Sequence, residues 1–302
     1  MKRLRYVMVS LMLGLLLTNC GGNGTACSNA SNMKEILKGE IRTFDYAVAT
    51  AEGTSLTKSA QVYLPYGYNA ADPDKKYNVL FLAHGGGDHQ GSFFDASRSP
   101  KPLDAVMDSL VTYGLAEPMI IVCPTYYKGI DDLQKDMSST IDDCRNFHVE
   151  LHEFLIPAIE KSFQVFTTRD HRAYGGFSMG ALSTWYQLGY GLEDIKYFVP
   201  LSGDLWTYNE DGQKQRAEES ATWLNSRVEQ SGYSAHDFFV WGYTGSNDIA
   251  CKPENALVGA LMGNAPMFEY GVNLHYSVFE GGDHQYKYIN QYLGEVIPAL
   301  FK

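Results

Sequence analysis

The sequence predicts an α/β fold, a mostly parallel central sheet with helices on both faces, and three observations carry that expectation. Apolar runs of strand length alternate with amphipathic stretches of helix length from residue 78 to the C-terminus. Most of the strand-like runs are continuously apolar instead of alternating, which suits strands buried on both faces and hence parallel pairing. No linker-like stretch or internal repeat interrupts the alternation, so residues 40–302 read as a single domain. Composition agrees: of 302 residues 45% are hydrophobic and 20% charged, apolar enough for a large core and unlike a disordered chain.

Taken in order, residues 41–49 and 60–66 form an opening antiparallel pair around the turn Glu52-Gly53-Thr54. Six strands follow at 78–83, 119–124, 171–177, 197–202, 238–243 and 274–279. Val79-Leu80-Phe81-Leu82-Ala83 and Met119-Ile120-Ile121-Val122-Cys123 show the unbroken apolar character best. Helices are expected at 103–113, 141–163, 179–188, 213–229, 253–262 and 286–301.

Four segments at the carboxyl ends of these strands carry chemistry, which is where sites in open α/β sheets collect. Gly176-Phe177-Ser178-Met179-Gly180 joins a strand to a helix in the Gly-x-Ser-x-Gly pattern that exposes a nucleophilic serine on a tight turn. Its glycines are needed because a Cβ there would meet the neighbouring strand and helix. His84-Gly85-Gly86-Gly87 ends a buried strand and can bring backbone N–H groups close to a substrate. The expected oxyanion donors are the N–H groups of Gly86 and Met179.

A nucleophilic serine needs a base and an acid, which follow it in the order acid, then histidine, in the α/β-hydrolase fold. His284, in Glu280-Gly281-Gly282-Asp283-His284, hangs from the loop between the last strand and last helix and is the expected base. Asp248, closing Tyr243-Thr244-Gly245-Ser246-Asn247-Asp248, is the favoured acid, and Asp204 in Leu201-Ser202-Gly203-Asp204 is its competitor. Such a reaction needs neither cofactor nor metal, because imidazole activates the nucleophile and backbone N–H groups hold the oxyanion. His148 and His152 are four apart on a helix, but the intervening glutamate is misplaced for a zinc-protease helix and a solvated face is the better reading. Phe93, Phe94, Tyr126, Tyr127 and Trp206 lie in carboxyl-end loops where an aromatic acyl pocket or glycan cleft would form. Trp206, Phe94 and Tyr126 are taken as the substrate-binding residues.

The set resembles the esterase D-like branch of the α/β-hydrolases, and most closely the feruloyl esterases of carbohydrate esterase family 1, including esterase modules attached to bacterial xylanases. The resemblance rests on His84 to Gly87, Gly176 to Gly180 with Thr184-Trp185-Tyr186 after it, Pro200 to Trp206, Gly245 to Ala250 and Gly281 to His284. It implies Ser178 as nucleophile, Asp248 as acid, His284 as base and Trp206 as a rim contact. The implied substrate is a feruloylated or acetylated plant polysaccharide or oligosaccharide. Acetyl xylan and siderophore esterases share the fold, and a catalytically silent glycan-binding lipoprotein is the contrasting reading, which an intact Ser178, Asp248 and His284 disfavours.

The N-terminus reads as targeting. Lys2, Arg3 and Arg5 precede a short apolar run at 6–17, and Leu17-Thr18-Asn19-Cys20 resembles a bacterial lipoprotein signal with Cys20 as the lipid-bearing residue. Residues 1–19 are then a cleaved signal peptide and 20–39 a flexible tether, with the small polar stretch 21–32 at its start. A cell-envelope lipoprotein follows, touching the membrane through its lipid only. With 24 Lys and Arg against 35 Asp and Glu, a net charge of −11 offers no phosphate-neutralising excess, which excludes nucleic acid as partner. Cys123, Cys144 and Cys251 match no disulfide framework or zinc spacing.

Overall fold

The computed structural model of the chain describes residues 34–49, 53–128, 137–205 and 216–302. Cys20, the tether up to residue 33 and Trp206 lie outside the described residues. Leu37 to Lys302 form one compact unit. Within it the chain is held just ahead of the first strand, since the Leu37 N–H donates to Thr112 Oγ1 at 3.0 Å and the Gly39 N–H to Asp108 Oδ1 at 2.8 Å.

One eight-stranded sheet runs through the unit in the order β1-β2-β4-β3-β5-β6-β7-β8. The strands are β1 (Glu40–Ala49), β2 (Ser55–Leu64), β3 (Asn78–Ala83), β4 (Met119–Cys123), β5 (Arg172–Phe177), β6 (Tyr197–Leu201), β7 (Phe239–Gly245) and β8 (Leu274–Phe279). β1 pairs antiparallel with β2 and β2 antiparallel with β4, while every pair from β4 to β8 is parallel. β2 begins earlier than the expected residue 60: Ser55 to Ser59 lack an apolar run, yet they pair with β1 out to the Ala49↔Ser55 end of the register.

The helices are α1 (Leu103–Thr112), α2 (Met137–Glu150), α3 (Ile156–Ser162), α4 (Met179–Tyr190), α5 (Ala217–Ser231), α6 (Cys251–Asn264) and α7 (Tyr286–Val296). The single helix expected at 141–163 is broken by a π turn, Leu151–Leu155, before α3. Pro157 in the first turn of α3 has no N–H to donate, and the wider turn absorbs the missing bond. The last helix likewise stops at Val296 and passes into a 3-10 turn at Ile297–Ala299, which contains Pro298.

Alternate residues of each central strand enter different cores, and this explains the unbroken apolar runs. Leu80, Leu82, Ile121 and Cys123 pack with Leu103, Met107, Ile289 and Leu293 from α1 and α7. Val79, Phe81, Ile120 and Val122 pack on the other face with Ile141, Phe147, Leu182 and Trp185 from α2 and α4. Helices therefore cover both faces, and the loops leaving β3, β5, β6, β7 and β8 gather at one edge of the sheet.

Candidate active site

Ser178 sits between β5 and α4 with φ 57° and ψ −110°, a left-handed conformation that costs a non-glycine residue about 1–3 kcal/mol. The surroundings hold it there. The Ser178 N–H donates to Leu201 O at 3.0 Å, and its carbonyl accepts the Ala181 and Leu182 N–H groups at 2.9 and 3.1 Å. The flanking glycines are steric requirements: a Cβ on Gly180 would lie 2.1 Å from Ala83 O, and one on Gly176 2.6 Å from the Gly180 carbonyl carbon.

His284 Nε2 stands 2.9 Å from Ser178 Oγ, and its Nδ1 is 2.7 Å from Asp248 Oδ1. A carboxylate oxygen can only accept, so Nδ1 carries the proton and Nε2 is left to accept from the serine hydroxyl. The Asp248 side chain is fully shielded from solvent, and its Oδ1 also accepts the Ala250 N–H at 2.7 Å. The loops that carry Asp248 and His284 are fastened to each other. Asn247 N–H donates to Gly282 O at 3.0 Å, Gly281 N–H to Ser246 Oγ at 2.8 Å, and a Cβ on Gly245 would lie 2.1 Å from Gly282 O. Asp204 instead lies on the side of the buried Glu254, whose carboxyl it helps push up, and it makes no hydrogen bond to His284.

The glycine loop after β3 presents one N–H by elimination. Gly85 N–H donates to Tyr286 Oη at 3.1 Å and Gly87 N–H to Tyr127 Oη at 2.9 Å. Gly86 N–H and Met179 N–H have no acceptor among the described residues. The two positions adjoin, since a Cβ on Gly86 would be 3.0 Å from Met179 Cγ. Two N–H groups beside the Ser178 hydroxyl at a helix N-terminus can stabilise a developing oxyanion.

Beneath this loop His84 is completely buried, and desolvation lowers its pKa to about 3. Its Nδ1 donates to Gly85 O at 2.7 Å and its Nε2 accepts the Thr125 hydroxyl at 2.8 Å, so the neutral ring braces the loop.

The cleft over Ser178 has a volume of about 340 Å³ and is lined by Phe177, His284, Gln285, Tyr286, Asp88 and Arg98 besides the glycine loop. Asp88 pairs with Arg98 and accepts the Tyr286 hydroxyl at 3.0 Å. Tyr126 does not line the cleft. It is 3% exposed, packs its ring at a tilt against His84, and donates its hydroxyl to Gly85 O at 2.9 Å, so it supports the loop from below. Phe94 also falls outside the lining, where it packs against the core under α1 and α7. A large ring in a loop is drawn into the nearest core as readily as into a cleft, and spacing alone does not separate the two. Asp88 and Tyr286 could have been found from their places beside the glycine motif and His284, whereas Arg98 carries no sequence signal.

The two helical histidines are used structurally. His148 Nδ1 donates to Arg145 O and its ring stacks on Tyr190, and His152 lies 3.0 Å from Gln187 Oε1 and 2.8 Å from Asp194. No cluster of three or more metal-ligating side chains occurs among the described residues. Cys123, Cys144 and Cys251 are free thiols, the first two buried.

Fold and site together define an α/β-hydrolase of the serine carboxylic-ester hydrolase class. No protein-family model matches the chain. Over 267 residues it is 33% identical to endo-1,4-beta-xylanase Y of Acetivibrio thermocellus, covering 83% of this chain and 23% of that protein. The chain thus spans less than a quarter of the length of the curated relatives it matches. A solved structure of a serine-to-alanine mutant of the feruloyl esterase module from Clostridium thermocellum, complexed with sinapinate, is 31% identical. It superposes with a TM-score of 0.73 over 88% of this chain and 89% of that one. A CE1 ferulic acid esterase from the anaerobic fungus Anaeromyces mucronatus, 21% identical, shares the fold with a TM-score of 0.69 over 92% of this chain and 96% of that one. The chain belongs to the feruloyl esterases of carbohydrate esterase family 1.

Proposed function

We propose that this chain releases hydroxycinnamate from feruloylated plant xylan by way of an acyl-enzyme, with Ser178 as nucleophile, His284 as base and Asp248 as acid. The observation that carries the reading is the continuous relay from Ser178 Oγ through His284 to the buried Asp248, at 2.9 and 2.7 Å. His284 Nε2 takes the hydroxyl proton as Ser178 attacks the ester carbonyl, and the oxyanion forms against the Gly86 and Met179 N–H groups. Asp248 stabilises the imidazolium, which then gives its proton to the departing sugar hydroxyl. Water, deprotonated by the same imidazole, hydrolyses the acyl-serine and frees the acid. No step calls for a metal.

The acyl choice draws support from the sinapinate complex of the related module. The volume of about 340 Å³ falls within the roughly 300–1,000 Å³ usual for small-molecule clefts. The Leu17 to Cys20 signal supports a lipid-anchored place in the cell envelope, to be tested by palmitate labelling of the wild type against Cys20→Ala.

The activity test compares methyl ferulate and feruloylated arabinoxylan oligosaccharides with p-nitrophenyl acetate, using wild type and Ser178→Ala. Ferulate release that falls about 10⁴-fold or more in folded Ser178→Ala is the expected result. Turnover of the acetate alone would refute the hydroxycinnamoyl reading, and a variant within tenfold of wild type would refute the nucleophile.

A further inference from the structure

We infer that Glu254 is a positioning residue, a clamp from the helix behind Asp248 that holds the Ser202–Gly203 turn beneath the nucleophile. The inference rests on the serine-hydrolase reading above and adds to it a residue that touches neither substrate nor reacting atoms.

Glu254 lies in the first turn of α6, immediately after the Asp248 loop, and is completely buried. A glutamate with no exposure has to be accounted for, because burying a charge without a partner is costly. Its Oε2 accepts the Gly203 N–H at 3.2 Å, and its own N–H donates to Ala250 O at 3.0 Å. Ala250 in turn gives its N–H to the catalytic Asp248 at 2.7 Å. Gly203 is pressed against the nucleophile from the other side: a Cβ on it would lie 2.6 Å from Ser178 O, and its carbonyl accepts the Trp185 indole at 2.9 Å. The residue before it, Ser202, has φ 56°, a strained left-handed conformation in a non-glycine residue. Something must hold that turn, and Glu254 and Trp185 hold its two peptide groups. One carboxyl therefore ties the acid loop to the support under the serine.

The clamp works as a neutral acid. Burial pushes its carboxyl well up from the usual range and the neighbouring Asp248 pushes it further, partly offset by the Gly203 N–H. The titratable groups facing it are Asp248 and Asp204 from the loops after β7 and β6, Tyr276 from β8 and Tyr292 from α7. Above the unfolded glutamate value the folded chain holds a proton that the unfolded chain has lost, so this residue costs more stability as pH rises.

The test uses Glu254→Gln and Glu254→Ala in the full chain, with p-nitrophenyl acetate turnover, Ser178 labelling by a fluorophosphonate, and urea unfolding from pH 5 to 8. Glu254→Ala is expected to lose about tenfold or more in kcat per folded molecule with KM within about twofold, as a misplaced nucleophile requires. Glu254→Gln, which keeps an acceptor for Gly203, should recover kcat to within about threefold and leave the acidic limb of the pH profile unmoved. Its unfolding equilibrium should also improve relative to wild type as pH rises above the unfolded glutamate value, an effect readable even if Glu254→Ala does not fold. Wild-type kcat in Glu254→Ala, or a Gln variant as poor as Ala, would each overturn the clamp. A wild type that cleaves the acetate but no feruloyl ester would remove the substrate reading and leave this one standing. A wild type whose Ser178 neither turns over nor labels would remove both.

Discussion

Acid should destabilise this protein through His84, and the size of the effect follows from its burial. The ring is completely buried, both nitrogens are engaged by Gly85 O and Thr125, and it stays neutral down to about pH 3. In the unfolded chain a histidine takes up a proton below about pH 6.5. Between those values the unfolded state binds the extra proton, so stability is fully present above the unfolded value and drains away as pH falls, at about 1.4 kcal/mol per pH unit. Integrated from pH 7 to pH 4.5, this one residue should account for about 2.5 kcal/mol of lost stability. Carboxylates titrate in the same range, so the measurement is a difference. Urea unfolding of wild type and His84→Asn at both pH values should show wild type losing about 2.5 kcal/mol more than the variant between them. Equal losses would mean that His84 is charged or hydrated in the folded state. The brace under the Gly85–Gly86 loop would then need another explanation.

Three further outcomes follow from the site. Asp248→Asn should lower kcat/KM by about 10⁴-fold, because an amide cannot hold the same histidine tautomer, while Asp204→Asn should stay within about tenfold; purified variants assayed on methyl ferulate decide between them. Gly180→Ala forces a Cβ to within 2.1 Å of Ala83 O, so the chain must give by about 1 Å where nucleophile and oxyanion loop meet. The expected cost is about 10²-fold in kcat, with a lowered Tm from overpacking. Dialysis against EDTA should leave ferulate release unchanged, and a loss restored by added metal would reopen His148 and His152 as a ligand pair.

The fold was legible wherever the pattern was dictated by burial on both faces. β3 to β6 are buried along almost their whole length between the two cores, so they stand out against any plausible loop, and the expected strands match to within a few residues. The outer half of β2 was not legible, because Ser55 to Ser59 are held by the hydrogen-bond ladder to β1 and by polar side-chain bonds such as Lys58 to Glu150, not by an apolar run. The π turn at Leu151–Leu155 was also invisible, since a helix that widens by one bond keeps nearly the same apolar face.

At the site the division is different. The Ser178, Asp248 and His284 constellation was readable because each sits in a glycine-rich loop: Gly176, Gly180 and Gly245 are fixed by backbone contacts closer than 3 Å, and Gly281 by its φ of 77°, and such constraints leave a local signature. The residues that hold those loops leave none. Tyr126 was expected to meet substrate, yet its hydroxyl reaches Gly85 O, a residue 41 positions away, and Tyr286 reaches Gly85 N–H from 201 positions away. Glu254 and Gly203 are likewise 51 residues apart. These bonds join loops that only the parallel sheet brings to one edge, so no spacing rule anticipates them. The same geometry explains why buried polar side chains are plentiful here. A catalytic loop rich in glycine has few side chains of its own to restrain it, and the N–H and C=O groups it does not aim at substrate must find partners in the layers below. Tyr127, Tyr286 and Tyr126 occupy Gly87 N–H, Gly85 N–H and Gly85 O, and what they leave unbonded among the described residues is the Gly86 N–H beside Met179. The candidate oxyanion donor is thus defined as much by the groups that are already bonded as by the one that is not.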